Sequence, residues 1–355
     1  MRLCVVSYHS SPLAPVGAGK SGGMSIVIRN LYRGLAQSFD VDIFVRGDGP
    51  ICQMGPRFRI IHVDRRDSYE FAEEIMRHHS KHQYGLIHTH YWLSGAIGLL
   101  THGLLKIPWL HTLHTVEILK TIPRDKARIE VEEEIVRSCD LVVSPTSQEM
   151  YAIKKLYPDV QVITIPHGVD VRRFTPSQNG HSDILFVGRI EPIKGLHVLI
   201  DALRYLKRDI RLTVIGGQSK DDINLSDIKS YAAGLEVEFK GQVNHQELRE
   251  HYHRTGMLVV PSYYESFGLV GLEAMASARP VVGFVHTGLR ETIGNDAGIL
   301  VNMNTRNLAR AINTLASDAR LRQRLGNNGR KKALRYDWSN VVRQYRRMYE
   351  KIIEE

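Results

Sequence analysis

The sequence predicts an α/β protein built as two Rossmann-like βαβ domains facing each other across a cleft. Three observations predict it. Short apolar runs alternate along the chain with longer segments of helical period, the pattern of parallel strands covered by helices on both faces. The series is interrupted once, after Pro166, by polar punctuation and then starts again. The chain's 355 residues suit two domains of roughly 100 to 200 residues each.

The first strand is Leu3-Cys4-Val5-Val6-Ser7, followed by a helix on which Met24, Val27, Ile28, Leu31 and Leu35 fall at helical spacing. Further strands are expected at Val41–Val45, Ile60–Val63, Leu86–His88, Trp109–His111, Leu141–Val143 and Val162–Ile165. Gly168, Pro176, Asn179 and Gly180 then mark a polar stretch. The second series runs through Ile184–Val187, Leu212–Ile215, Val237–Phe239, Met257–Val260, Val281–Phe284 and Ile299–Val301. These signals predict a first domain over 1–166, a hinge over 167–180 and a second domain over 181–335. A C-terminal helix over 336–355 is expected to pack back toward the first domain. Ligands of open α/β sheets bind beyond the carboxyl ends of the strands, so the loops that follow strands are where chemistry is sought.

Composition narrows the class of function. A hydrophobic share of 43% with 24% charged residues excludes global disorder and collagen-like repeats. Cys4, Cys52 and Cys139 are odd in number, widely spaced and outside any CxxC pair, which argues against a disulfide framework and for a reducing compartment. No apolar run reaches the ~18 to 20 residues of a membrane helix, and Leu3–Val6 is too short for a signal peptide. A cytoplasmic protein is expected. Of the net charge of +9, the segment from Thr305 to Glu355 carries +8, with 13 Lys and Arg against 5 Asp and Glu. Such a tail suits an anionic partner, a phosphorylated substrate or the inner face of a membrane, or is simply a solvated helical face. No nucleic-acid partner is expected.

Several motifs are decoys. Gly17-Ala18-Gly19-Lys20-Ser21-Gly22 spells GxGxxG, but nine residues including Pro12 and Pro15 separate it from the strand that a dinucleotide fingerprint must follow directly. Gly19-Lys20-Ser21 resembles the end of a Walker A loop, but Ala14 stands where that loop needs glycine. What survives is a glycine-rich segment opening a helix, whose amides and dipole favour an anion. Asp40-Val41-Asp42 is a DxD that enters a strand far from other carboxylates. His88-Thr89-His90 and His111-Thr112-Leu113-His114 lack the neighbouring carboxylate or thiolate that a zinc site would use. No metal is expected.

The sharpest signal follows the strand ending near Pro261: Glu265-Ser266-Phe267-Gly268-Leu269-Val270-Gly271-Leu272-Glu273. With a helix starting near Gly268, Glu265 stands in the preceding loop and Glu273 within the helix, flanking an amide-lined turn suited to an anion. A carboxylate at each side of such a turn fits a molecule with hydroxyls at both ends and a diphosphate in the middle, a nucleotide sugar. Gly188-Arg189-Ile190-Glu191-Pro192-Ile193-Lys194-Gly195 also follows a strand directly. Arg189 and Lys194 there are two cations suited to the charge that builds on a departing diphosphate.

In order and spacing, these segments resemble the retaining nucleotide-sugar glycosyltransferases of the GT-B fold, glycosyltransferase family 4 or group 1, whose hallmark is E-x7-E, here Glu265 to Glu273. The resemblance extends over Gly22-Gly23-Met24, His88 to Gly95, His111 to Thr115, Pro166-His167-Gly168-Val169-Asp170 with Phe174 and Pro176, and Gly188 to Lys194. It implies that Glu273 accepts hydrogen bonds from the donor ribose and that Glu265 faces the transferred sugar. It further implies that Arg189 and Lys194 clamp the diphosphate with amides near Gly22, Gly23 and Leu269. Ser266, Phe267 and Gly268 complete the donor turn, and backbone near Gln242 and Val243 reads the base. His114 is implied to lie beside the sugar's 6-hydroxyl and anomeric region. His114, Glu265, Arg189 and Lys194 are thus the expected catalytic set. The implied chemistry is transfer with retention: the acceptor hydroxyl attacks the face that the diphosphate leaves, and a phosphate oxygen takes the proton. No cofactor is essential.

Within the family, Tyr91 to Gly95 with His111 to Thr115 are similar to inositol-phosphate N-acetylglucosaminyltransferases and to sucrose-phosphate synthases. That implies a hexose or N-acetylhexosamine, from a UDP-sugar, passed to a phosphorylated polyol or sugar whose phosphate is held by Tyr91, Thr115 and Arg128. Arg65 or Arg66 would stand in for a lysine of that receptor. Arg128 could equally sit on a helix face paired with Glu132, four residues on. The open alternatives are a lipid or growing glycan as acceptor, reached at a membrane through the basic tail, and a non-catalytic nucleotide-sugar-binding subunit. A homodimer is compatible with the sequence, which leaves the sugar, base, linkage and oligomeric state unread.

Overall fold

The computed structural model describes residues 1–354 other than 14–21, 65–66, 121–123, 178–180, 208, 219–224 and 286–287. The chain divides into two compact units.

The first unit holds an eight-stranded sheet in the order β3-β4-β2-β1-β5-β6-β7-β8. Its strands are β1 (Arg2–Val6), β2 (Asp40–Arg46), β3 (Cys52–Gly55), β4 (Phe58–Val63), β5 (Tyr84–His90), β6 (Trp109–Thr112), β7 (Leu141–Ser144) and β8 (Val162–Thr164). Alternate residues of β1 enter opposite layers: Leu3 and Val5 join one apolar cluster, Cys4 and Val6 another. One helix, Gly23–Leu35, turns Val27, Ile28, Leu31, Tyr32 and Leu35 inward. The C-terminal helix Trp338–Glu354 adds Val341, Tyr345, Met348 and Tyr349 to the same cluster. Their contact is close enough that a Cβ on Gly34 would meet the Val342 side chain.

The expectation of a wholly parallel sheet needs one correction. β3, absent from the strand expectations, pairs antiparallel with β4. It escapes the periodicity test because none of its four residues is buried, so no apolar alternation is demanded of it. Gly55-Pro56-Arg57 supplies the reversal into β4.

The second unit holds six parallel strands in the order β11-β10-β9-β12-β13-β14. They are β9 (Ile184–Val187), β10 (Leu212–Ile215), β11 (Val237–Gly241), β12 (Met257–Val260), β13 (Val281–Phe284) and β14 (Gly298–Val301). Ile184 and Phe186 face one core with the helices Leu196–Leu203 and Thr305–Ser317, while Leu185 faces the other with Leu269–Ala276 and His245–Arg254. Such two-faced burial explains why the strands read as short continuous apolar runs. The segment from His167 is built into this unit: Arg330 donates to the carbonyls of Val171 and Phe174, and Arg279 to that of Ser177.

Among the described residues no helix is long and apolar enough to cross a membrane.

Candidate functional site

In the second unit the chain runs outward from β9 through β10 to β11, and then from β12 through β13 to β14 on the other side. The strand order therefore reverses between β9 and β12, the switch point at which α/β sheets bind ligands. The loops after these two strands carry both expected donor motifs. They are stitched together by Tyr263 N–H donating to the Ile193 carbonyl at 2.8 Å. Gly195, at φ +68°, lies against the Pro261 carbonyl, where a Cβ would collide. Its left-handed backbone is one that side chains disfavour.

This stitching brings Lys194 Nζ to 2.6 Å from Glu265 Oε1, which also accepts from Ser262 Oγ at 2.9 Å. Arg189 pairs with Glu191 at 2.9 Å. The helix Leu269–Ala276 starts at Gly268, φ +85°, where a Cβ would strike Leu289. The first-turn amides of a helix have no intrahelical acceptor, so this end is suited to negative charge. Phe267 is buried against His167 and Tyr336, and its carbonyl accepts from Thr292 Oγ1 at 2.7 Å. The Ser266 carbonyl packs on Gly288 with no room for a side chain.

The two glutamates have different surroundings. Glu265 is half-buried beside a cation. Glu273 is buried, accepts from the Tyr252 hydroxyl at 3.1 Å, and is pushed up to about 7 by burial, against the opposing pull of that bond and of Arg173. Gln242 and Val243 follow β11; Gln242 lies against Gly217 beyond the end of β10, and Val243 packs on the core.

In the first unit the strand order reverses between β1 and β5. Tyr91, directly after β5, has φ +72°, and His114, two residues after β6, has φ +62°. Non-glycine residues held in this region mark strained loops that the surrounding structure over-determines. Tyr91 N–H is anchored to the Thr112 carbonyl at 2.9 Å, and His114 Nε2 is 2.9 Å from His90 Nδ1. Gly23 begins the helix Gly23–Leu35 of this unit, while Gly22, grouped with the second unit, has open space around it.

Arg128, on the helix Lys126–Ser138 capped by Asp125, gathers the expected acceptor residues. It donates to Tyr91 Oη at 3.1 Å and Thr115 Oγ1 at 2.7 Å, with its guanidinium 4.8 Å from the Tyr91 ring centroid. Nε donates to Glu132 at 2.7 Å. The i+4 pairing and the gathering with Tyr91 and Thr115 thus coexist. Glu117 adds a second carboxylate 3.0 Å from Arg128, bridged in turn to Lys120 at 2.5 Å. Burial raises the carboxyl of Glu132 against the pull of Arg128.

The described residues of the acidic and histidine decoys are taken up by ion pairs and hydrogen bonds within the fold. Asp42 is fully buried between Arg59 at 2.6 Å and Arg2 at 3.2 Å and accepts from Tyr84 Oη. Asp40 pairs with Arg57. The histidines of β5 and β6 bond hydroxyls and one another, and among the described residues no three His, Cys, Asp or Glu side chains form a metal-binding group. Ala14, the Gly17–Ser21 stretch, Arg65, Arg66, Asn179 and Gly180 lie outside the described residues.

Comparison with known proteins now decides the family. The description "Glycosyl transferases group 1" matches residues 170–332, and "Glycosyltransferase Family 4" matches residues 21–173. A D-inositol 3-phosphate glycosyltransferase from Xylanimonas cellulosilytica is 31% identical over 96% of this chain and 94% of its own. The chain belongs to glycosyltransferase family 4. Another relative, a D-inositol 3-phosphate glycosyltransferase from Corynebacterium efficiens, is 30% identical over 98% of this chain and 95% of its own. Among solved structures, a sucrose-phosphate synthase from Thermosynechococcus elongatus superposes with a TM-score of 0.92 at 29% identity, covering 99% of both chains. The two α/β units are those of the GT-B fold. In this family-4 glycosyltransferase the segment matched by the group 1 description contains Arg189, Lys194, Glu265 and Glu273, and the other contains Tyr91, His114, Thr115 and Arg128.

Sequence reasoning missed four partners. Tyr252 fixes Glu273, Ser262 fixes Glu265, and Glu117 with Lys120 surrounds Arg128. Only Ser262, three residues before Glu265 in the same loop, carried a local signal; the others meet their partners solely through the fold.

Proposed function

We propose that this glycosyltransferase moves a hexose or N-acetylhexosamine from a UDP-sugar, with retention, to a hydroxyl of a phosphorylated polyol or sugar in the cytoplasm. The observation that carries the acceptor class is the convergence of Tyr91, Thr115 and Arg128, a hydroxyl pair on one guanidinium. The relatives named as D-inositol 3-phosphate glycosyltransferases and as a sucrose-phosphate synthase support the same class. Each charge-assisted bond to a phosphate contributes about 1.5 to 3 kcal/mol.

For the donor, Lys194 and Arg189 and the first-turn amides of Leu269–Ala276 form an anion-stabilising set, and the ribose hydroxyls donate to Glu273. Lys194 exchanges part of its bond with Glu265 for the diphosphate, which leaves Glu265 to accept from the sugar. No side chain acts as nucleophile: the acceptor oxygen bonds the anomeric carbon as the bond to the diphosphate breaks, and the departing phosphate oxygen takes the acceptor's proton. Catalysis then consists of positioning and of stabilising leaving-group charge.

The test is product mass spectrometry with UDP-glucose, UDP-N-acetylglucosamine and GDP-mannose, each offered with inositol phosphate, fructose 6-phosphate or a lipid extract, and product anomers assigned by NMR. Transfer to a phosphorylated small molecule with the donor's anomeric configuration is expected. Transfer only to lipid would overturn the acceptor class, inversion would overturn the mechanism, and binding without transfer would favour a non-catalytic subunit.

A further inference from the structure

A buried cluster of phenol and imidazole groups, all within the first unit, links the C-terminal helix to His114. Tyr349 Oη lies 2.5 Å from His88 Nδ1, and His88 Nε2 lies 2.9 Å from Thr112 Oγ1. Tyr32 Oη lies 2.6 Å from His90 Nε2 and 2.9 Å from His88 Nδ1. His90 Nδ1 then meets His114 Nε2 at 2.9 Å. Tyr32, His88, His90 and Tyr349 are each buried.

Chemistry assigns the protons. Burial disfavours the charged form of His88 and of both phenols, so each stays neutral. A neutral imidazole has one donor and one acceptor nitrogen. The 2.5 and 2.6 Å contacts suit hydroxyl donors, and the His88–Thr112 and His90–His114 contacts at 2.9 Å suit N–H donors, which leaves the 2.9 Å approach of Tyr32 Oη to His88 Nδ1 as a contact between two acceptors that carries no proton. Tyr349 therefore donates to His88 Nδ1, and His88 Nε2–H donates to Thr112. With His88 Nδ1 so occupied, the Tyr32 hydroxyl turns to His90 Nε2, and His90 Nδ1–H donates to His114 Nε2.

We propose that Tyr32 and Tyr349 are positioning residues that, through His88 and His90, hold His114 as the tautomer with its proton on Nδ1. His114 thereby keeps one ring orientation and one donor edge in a backbone conformation that the chain adopts reluctantly. This rests on the reading of His114 as a residue of the reaction site.

The experiment compares the full chain with Tyr32→Phe, Tyr349→Phe and His114→Ala, using 15N-histidine NMR together with steady-state transfer kinetics. In the wild type, the His114 Nε2 resonance is expected to be of the unprotonated type. Both tyrosine variants are expected to mix the tautomers and to lower kcat at least fivefold at an unchanged donor KM, a split that loosened packing alone would not give. An unchanged His114 15N pattern in both variants overturns the proposal, and a changed pattern with full kcat overturns its catalytic consequence. Undiminished transfer by His114→Ala instead overturns the placement of His114 in the reaction, while the 15N spectra still test the chain.

Discussion

Replacing Glu273 by Gln should make the protein more stable at pH 8 and a poorer user of its donor. Glu273 is buried with the Tyr252 hydroxyl as donor, and its carboxyl rises from the ordinary 4.5 to about 7. Because the folded value lies above the unfolded one, the folded chain holds a proton that the unfolded chain releases. That stabilisation is complete below about pH 4.5 and lost as pH rises through about 7. The whole interval corresponds to about 3 kcal/mol. Glutamine keeps an oxygen for Tyr252 and cannot ionise. Glu273→Gln should thus gain up to about 3 kcal/mol over wild type at pH 8 and almost nothing at pH 4.5, or about 5 to 10 °C in the second unit's transition. Differential scanning calorimetry at both pH values reads this directly. In kinetics, the wild-type donor KM should rise as pH falls below about 7, because donor ribose hydroxyls need the ionised carboxylate. The variant's donor KM should be at least tenfold higher at pH 8 and flat with pH. An equal shift in melting at both pH values, or destabilisation at pH 8, would refute the burial argument. A normal donor KM would refute the ribose assignment.

Three further outcomes are expected. Lys194→Ala should lower turnover at least tenfold at saturating donor, a loss of about 2 to 4 kcal/mol in the barrier; near-normal turnover would remove the diphosphate clamp. Arg128→Lys keeps the charge facing Glu117 and Glu132 but loses the fork that reaches Tyr91 and Thr115, so the KM for a phosphorylated acceptor should rise about tenfold or more with donor KM unchanged, as two-substrate kinetics would show. His111 is buried and lowered to about 3 by that burial, so its contribution to stability is present above about pH 6.5 and lost as pH falls toward 3. About 2 kcal/mol should be gone by pH 5; urea titrations at pH 7 and 5 should show the loss, reduced in His111→Asn, and identical curves for both proteins would sink the argument.

The two segments proposed to hold the donor were legible in the sequence because their residues sit in two loops, each directly following a strand. Arg189 to Lys194 and Glu265 to Glu273 are local patterns, and the switch-point rule says where such loops converge. Every strand buried on both faces was likewise readable, since burial demands a continuous apolar run whatever its neighbours are. β3 lay beyond that reach because an exposed edge strand makes no such demand.

Local pattern alone therefore yields the βα alternation, the break near Pro166 and the candidate glutamates and cations, all of which depend on spacing along one short segment. It cannot decide protonation or partnership, which depend on groups that meet across tens or hundreds of residues. Glu273 meets Tyr252 only because the helices His245–Arg254 and Leu269–Ala276 share one face of the second sheet. Arg128 is at once an ion-pair partner of Glu132 and a neighbour of Tyr91, an outcome that sequence posed as alternatives. His114 is linked to Tyr349 through His90, Tyr32 and His88, buried contacts that span 235 positions. In a low-dielectric interior the energy of such groups is set by which partner is within about 3 Å, and only the folded chain determines that.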